Sequence, residues 1–247
     1  MALDLHTKEV ATTNSALITQ VNELNEIFAP LDFRQRIEKL YDFFPKDEIL
    51  LTSSFGGNSA LILYIFSEIN PAQKIHFIDT GYHFPETLAF KNQLQSALGM
   101  QVEDLHPDLD DHAITTKEQW WIDKPNDCCQ INKVNPLEQI LPNFKVWVSG
   151  VMAFQTPHRA NLRVFEESGD IIKFHPIIDI DEYEAVKLTK DFDLPVHPLT
   201  LQGYGSIGCK YCTFKGVGRE GRWVGSEKTE CGLHTSILIE HPKNSNK

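Results

Sequence analysis

The sequence predicts an α/β protein with a doubly wound, mostly parallel sheet. Two observations carry that class. Short apolar runs recur along the chain, at residues 47–52 (DEILLT), 74–79 (KIHFID) and 145–149 (KVWVS), and their length and make-up suit buried parallel strands. Stretches of helical length separate them, and strands alternating with helices close by right-handed crossovers into one sheet. The size agrees: 247 residues fit one large domain or one domain with appendages.

The elements follow in order. Residues 14–44 read as helical, with Leu17, Val21, Leu24, Ile27 and Phe28 on one face and Pro30 as an interruption. The strand at 47–52 runs into a loop of small residues, 53–59 (SSFGGNS), and then into a helix over 60–69. The strand at 74–79 is followed by Thr80-Gly81 and by a helix beginning near Pro85, where Pro85 and Glu86 suit a first turn. Val102–Leu105 is a third strand, 145–149 a fourth, 171–175 a further short one, and 181–192 a helix. From about Leu199 glycines crowd a segment with little periodicity, which reads as a loop-rich C-terminal tail. The expected division is an N-terminal helical segment (1–44), an α/β core (45–200) and the C-terminal segment (201–247), one domain overall. No internal repeat or low-complexity region interrupts it, and the polar end, 241–247, is expected to fray.

Composition excludes several classes. A net charge of −11 opposes general nucleic-acid binding, although Lys210, Lys215, Arg219, Arg222 and Lys228 form a local cationic cluster suited to a small anion. The longest apolar run, 60–66, is far below the ~18 residues that would suggest a membrane span. Residues 1–11 mix charged and apolar types without a signal-peptide pattern, so a cytoplasmic protein is expected.

Two strand-end loops could bind a ligand. In 53–59, small residues let the backbone approach an anion at the next helix N-terminus, and ligands gather at the carboxyl ends of parallel strands. The loop lacks the Gly-Lys-Ser/Thr ending of a Walker motif, and a tight strand–helix turn is an equal alternative. Asp79-Thr80-Gly81 ends the neighbouring strand, where Asp79 binds a nucleotide or positions the loop, with helix capping as an equal alternative.

Five cysteines are an odd number, and a reducing compartment disfavours a disulfide framework. They fall as the adjacent pair Cys128-Cys129, the CxxC pair Cys209 and Cys212, and Cys231 alone. Adjacent cysteines serve a single tetrahedral zinc poorly, whereas an iron–sulfide cube offers separate corners, so the quartet favours a [4Fe–4S] cluster over zinc. Buried, unreactive thiols are the alternative. Cys231 is left over. A free thiol titrates near ~8.5 and nearby cations lower it. Arg219, Arg222, Lys228 and His234 are candidates for that role, and Glu230 opposes them. Alone, such a cysteine is more often inert. The segment 219–223 (REGRW) offers two arginines that could grip phosphate or sulfate bidentately, or else face solvent. The ten histidines show no metal-ligand spacing such as HExxH.

Taken together, the segments 52–56 (TSSFG), 79–87 (DTGYHFPET), 128–137 (CCQINKVNPL), 203–213 (GYGSIGCKYCT) and 219–234 (REGRWVGSEKTECGLH) resemble the sulfonucleotide reductases of assimilatory sulfate reduction. The likeness spans about residues 45–238. It implies an adenine-nucleotide hydrolase-like fold, related to the PP-loop pyrophosphatases, and a form without the fused thioredoxin-like domain of the plant enzymes, since little chain follows Cys231. It further implies that Cys231 attacks the sulfate sulfur of an adenylyl sulfate, and that thioredoxin or glutaredoxin frees sulfite from the resulting Cys–S-sulfonate. In that reading Cys128, Cys129, Cys209 and Cys212 hold the cluster. Arg219 and Arg222 hold sulfate and phosphate oxygens, and Lys133 bridges the cluster region and the substrate's anionic end. Ser53, Ser54, Asp79, Thr80 and Gly81 line the nucleotide pocket, and His234 is set apart by its place beside Cys231. A homo-oligomer is expected, with neither nucleic acid nor membrane as partner.

Within the family four cluster cysteines usually accompany adenosine 5′-phosphosulfate (APS), and their absence accompanies the 3′-phosphorylated form (PAPS). APS is therefore the expected substrate, with PAPS or dual use as the alternative. Two positions depart from the APS pattern. Tyr82 follows Asp-Thr-Gly as in PAPS-using members, and residues 150–155 (GVMAFQ) stand where most members place an Arg-Arg pair. Arg159 and Arg163 are the nearby candidates to replace it. Two other classes compete: a PP-loop enzyme that transfers adenylyl groups from ATP, and a zinc-stabilised module that binds nucleotides without catalysis. ATP–pyrophosphate exchange would mark the first. Tight nucleotide binding without sulfite production would mark the second.

Overall fold

A computed structural model describes residues 2–234, with side chains from 15 to 233. Two helices lead in: α1 (Ala2–Phe28) and α2 (Phe33–Phe43). Asp32 ends the intervening turn by accepting from the Gln35 N–H (2.8 Å), while the Gln35 side chain reaches back to the Asp32 N–H, a reciprocal cap. Then β1 (Ile49–Thr52), α3 (Ser59–Ile69), β2 (Ile75–Ile78), α4 (Pro85–Leu98) and β3 (Val102–Leu105) alternate as expected. Four short helices follow: α5 (Leu109–Lys117), α6 (Trp120–Asp123), α7 (Pro125–Cys129) and α8 (Asn135–Glu138), with a π-helical turn at Gln130–Val134 between the last two. The chain then forms β4 (Val146–Val148), β5 (Phe165–Ser168), β6 (Ile171–Phe174) and α9 (Glu182–Asp191).

The sheet has six strands in the order β3-β2-β1-β4-β6-β5. All neighbours are parallel except β5, which pairs antiparallel with β6 at the edge. The order reverses between β1 and β4, and their carboxyl ends flank the crevice where open α/β sheets bind ligands. Alternation along the strands builds two cores. Ile49 and Leu51 face one layer with Phe28, Ile37, Phe66 and Phe90. Leu50 faces the other with Ile78, Leu105, Leu137, Trp147 and Ile171, onto which Leu233 of the C-terminal segment packs. Burial on both faces explains why these strands read as apolar runs.

The N-terminal helices are fastened by Arg36. Its guanidinium, 2 % exposed, forks onto Asp179 (2.6 and 2.8 Å) and donates to the carbonyls of Phe28, Ala29 and Pro176. The α1 helix begins well before the expected residue 14. Ile27, expected on its buried face, is 41 % exposed, because Val21, Leu24 and Phe28 alone fill the contact. Neither β5 nor the α5–α8 series was anticipated; their apolar residues follow no sustained period. The C-terminal segment is loop-rich as expected, with single 3₁₀ turns at Lys210–Cys212 and Gly232–His234. Among the described residues no helix is long and apolar enough to cross a membrane.

Candidate active site

The loop after β1 is shaped by Phe55, which takes a left-handed backbone (φ 48°) and buries its ring edge-on to Phe77 at 5.5 Å. That turns Ser53, Ser54 and Gly56 along the carboxyl end of the sheet ahead of α3. Ser53 Oγ accepts from the Phe55 N–H, and Ser54 is exposed. After β2, Asp79 accepts from the Gly81 N–H at 3.0 Å, so its local role is to fold the turn. Gly81 (φ 70°) presses on His112, whose ring would lie 2.7 Å from any added Cβ. Thr80, expected to line the nucleotide pocket, is fully buried, and its hydroxyl lies 3.4 Å from Cys209 Sγ. That contact links the nucleotide-side turn to the cysteine centre.

That centre is one cavity lined by all four cysteines of the quartet together with Tyr82, Trp121, Pro125, Asn132, Lys133 and Tyr211. Cys128 and Cys129 end α7, where the π-helical turn carries Asn132 and Lys133 back under them. The amide of Asn132 donates to the Cys128 carbonyl, and its oxygen meets His112 Nδ1 at 2.7 Å. Cys209 and Cys212 flank their 3₁₀ turn, pinned by the Lys210 N–H donating to the Tyr82 carbonyl (2.7 Å). Aromatic rings wall the cavity. Trp121 stacks on Tyr211 at 4.0 Å, and Tyr82 meets both edge-on. Burial, then the neighbouring Cys209 and Cys212 thiolates, push the Cys128 thiol up to about 11. Among the described residues no three His, Cys, Asp or Glu side chains are arranged to hold one single metal ion.

Cys231 lies beside Cys129, one of the residues that line this cavity. It hydrogen-bonds Cys129, which drives its own thiol well below the usual range and that of Cys129 well above it. Burial opposes the Cys231 thiolate, while Lys133, the Leu233 N–H and Arg222 favour it. These three act whatever the state of Cys129. Lys133 in turn keeps its charge: burial disfavours it, but Cys209, Cys231 and Cys129 outweigh that and hold its ammonium above the usual range. Gly232 lies against Val134, whose Cγ2 would be 3.1 Å from an added Cβ, so a side chain there would require Val134 to give by a few tenths of an ångström.

The arginines divide. Arg222 lies over the Trp223 ring at 4.2 Å and reaches Ser206 Oγ and the Cys212 carbonyl at 3.3 and 3.4 Å. Arg219 donates to the Thr229 carbonyl (3.1 Å) and to Glu230 (3.2 Å); burial, then its neighbour Arg159, pushes it down to about 10. Lys228 donates to Asn126 on α7 at 2.7 Å. Arg159, named from its place after the missing arginine pair, is buried and forks onto Glu230 at 2.9 and 2.8 Å. Arg163 does not approach the site. It is held at the surface by Asn22, Glu166 and Glu167, since the chain turns away into β5. Met152, where most sulfonucleotide reductases carry arginine, is fully buried in the core. The side chain of His234 lies outside the described residues.

Sequence reasoning missed Glu230 as a partner, reading it only as an opposing charge, and missed Lys173, Asn132 and His112. No spacing marks them; the chain brings them together only in three dimensions.

Known proteins resemble this chain in sequence and in fold. The profile of the phosphoadenosine phosphosulfate reductase domain matches residues 48–215. An adenosine 5′-phosphosulfate reductase of Salinibacter ruber is 34% identical over 199 residues, 77% of this chain and 79% of that protein. The protein of the same name from Bacillus cereus is 35% identical over 198 residues, 76% of this chain and 85% of its own length. Among solved structures, a Candida auris phosphoadenylyl-sulfate reductase aligns with TM-score 0.67 at 22% identity, over 78% of this chain and 96% of that one. A Candida glabrata FMN adenylyltransferase aligns with TM-score 0.55 at 14% identity, over 80% and 66%. These two share the fold. The span of the domain match, together with identity of about a third over most of the chain, places this protein in the phosphoadenosine phosphosulfate reductase family.

Proposed function

We propose that the protein reduces adenosine 5′-phosphosulfate to sulfite and AMP in the cytoplasm, with Cys231 as nucleophile and a dithiol protein, thioredoxin or glutaredoxin, as reductant. The observation that carries this reading is the seating of Cys231 near Lys133 and Arg222, hydrogen-bonded to Cys129 of the cysteine cavity. Fixed cations beside a thiol favour the thiolate that attack on an anionic sulfur centre requires.

In the first step the Cys231 thiolate attacks the sulfate sulfur. The bond from that sulfur to the phosphate oxygen breaks, and AMP leaves with the electron pair. In the second step a reductant thiolate attacks Cys231 Sγ, and sulfite departs with the electrons of the S–S bond. The reductant's second thiol then resolves the mixed disulfide, so the dithiol supplies both electrons. Arg222, Arg219 and Lys133 hold the anionic end. Ser53, Ser54, Asp79 and Gly81, with the α3 N-terminus, border the nucleotide.

Cys128, Cys129, Cys209 and Cys212 fit a [4Fe–4S] cluster. Four thiols line one aromatic-walled cavity, and two of them are adjacent in the chain, which suits separate iron corners better than one tetrahedral zinc. When bound, the cluster tunes the electrostatics beside Lys133. Anaerobically purified protein is expected to be brown with broad visible absorption; colourless protein with stoichiometric zinc and no sulfide would overturn this assignment.

The choice of APS rests on the named relatives and on the quartet. Tyr82, which departs from the APS pattern, is buried with its hydroxyl held by Thr115 and Thr116. One experiment tests the reading: thioredoxin-dependent sulfite release from APS and PAPS by the wild type and by Cys231→Ser. The wild type is expected to favour APS in kcat/KM, and the variant to release none while keeping its cluster. Turnover by the variant would remove Cys231 from the mechanism.

A further inference from the structure

We infer that Glu230 and Lys173 are positioning residues that grip the chain on either side of Cys231 and set its sulfur for attack. The inference rests on the reading of Cys231 as nucleophile.

The two anchors come from different parts of the fold. Upstream, the Glu230 side chain is 2 % exposed and receives four hydrogen bonds: two from Arg159 (2.9 and 2.8 Å), one from Thr156 Oγ1 (2.8 Å) and one from Arg219 (3.2 Å). Arg159 and Thr156 belong to the loop that follows β4, at the sheet's switch point. Arg159 is itself fixed by Gln155. Burial alone would push the Glu230 carboxyl up, but the Arg159 fork outweighs it and holds the carboxyl below its usual range. Downstream, Lys173 on β6 donates to the Leu233 carbonyl at 3.0 Å, and its ammonium lies 4.4 Å over the Trp147 ring. The Leu233 side chain packs onto the same sheet face.

Between the anchors lie only Cys231 and Gly232, and Gly232 is pressed onto Val134 and Cys129. With both neighbours fastened and the intervening glycine in van der Waals contact, the Cys231 sulfur has little freedom. Anchoring so short a span removes motion that would otherwise have to be frozen out at the moment of attack. Lys173 makes a poor structural residue. Burial pushes its amine down to about 8, with Glu166 only partly opposing. A half-buried ammonium whose hydrogen-bonded partner is one backbone carbonyl contributes little stability, and its position fits what it holds.

The test compares Glu230→Gln and Lys173→Met with the wild type and with Arg163→Gln, a surface control. In a single turnover without reductant, intact-mass spectrometry follows the Cys231 S-sulfonate. In the free enzyme, peptide-resolved mass spectrometry follows iodoacetamide alkylation of Cys231. Both clamp variants are expected to form the adduct roughly 100-fold more slowly, the scale of a small misplacement of a reacting group. Cys231 should alkylate several-fold faster in both, and Lys173→Met should leave AMP affinity unchanged and keep or raise the thermal midpoint. A merely structural lysine would lower that midpoint and leave the adduct rate intact. Adduct formation at the wild-type rate in both variants overturns the clamp alone. A wild type that forms no adduct at Cys231 overturns the nucleophile assignment, and the clamp with it.

Discussion

At the scale of single residues the site depends on close approaches that no side chain could share. Gly208 lets the Arg222 guanidinium lie directly on the backbone, where an added Cβ would come 2.4 Å from it. Because the obstacle is the far end of a flexible side chain, Gly208→Ala should fold with little loss of stability but displace Arg222 from Ser206. The expected outcome is roughly a tenfold fall in kcat/KM, the size of one hydrogen bond to a charged partner, with an unchanged urea midpoint. A change in stability without a change in kinetics would show that Arg222 does not hold the substrate. Cys231 shows the limits of reading one residue at a time. As a lone cysteine it carries little weight; its cations, Lys133 and Arg222, lie about a hundred residues upstream and nine upstream in the chain. Glu230 is the opposite case. Its charge was read as hostile to a thiolate, yet its carboxylate is neutralised by Arg159 and Arg219.

At the scale of elements the strands other than β5 and the long helices were legible, and the short helices were not. Strands β1, β2 and β4 are buried on both faces, so their apolar runs stand out in one dimension. Helices α5 to α8 are short, pack irregularly and leave no period. Yet they carry Cys128, Cys129, Asn132 and Lys133. The turn after β2 joins the two groups, since Gly81 packs on His112 of α5. Gly81→Ala would force a left-handed residue into the imidazole, and the expected cost is about 1–2 kcal/mol. It would be measured as a lowered denaturant midpoint. An unchanged midpoint would show that the turn relaxes around the methyl group.

At the scale of the whole molecule, burial of neutral histidines sets the response to acid. Burial pushes His83 down to about 4 and His175 to about 3. His83 also faces Lys133 and Lys91, with Asp79 opposing; His175 faces Lys173 and Arg159. Below the ordinary histidine value of about 6.5 the unfolded chain takes up protons that the folded chain refuses. Stability is therefore expected to fall as pH drops from about 6.5 towards 4, by up to about 2 kcal/mol per histidine at pH 5. Chemical denaturation at pH 7 and pH 5 measures it, and His175→Phe should flatten the slope. An equal slope in that variant would place the lost protons elsewhere. Glu230 adds to the trend with the same sign, since its depressed carboxyl contributes stability that is lost as pH falls through its folded value.

The sequence by itself determined the α/β class, the order of most strands, the separation of the cysteines into a quartet and a remainder, and the family likeness. These are properties of local composition, period and spacing, which one dimension preserves. Only the tertiary structure decided that Thr80 faces Cys209, that Arg159 and not Arg163 turns inward, that Tyr82 walls the cysteine cavity, and that Glu230 and Lys173 fasten the chain around Cys231. Each is a contact between residues far apart in the chain. A buried charge or hydroxyl chooses its partner by where packing leaves it, and packing is set by the sheet and the layers on its two faces.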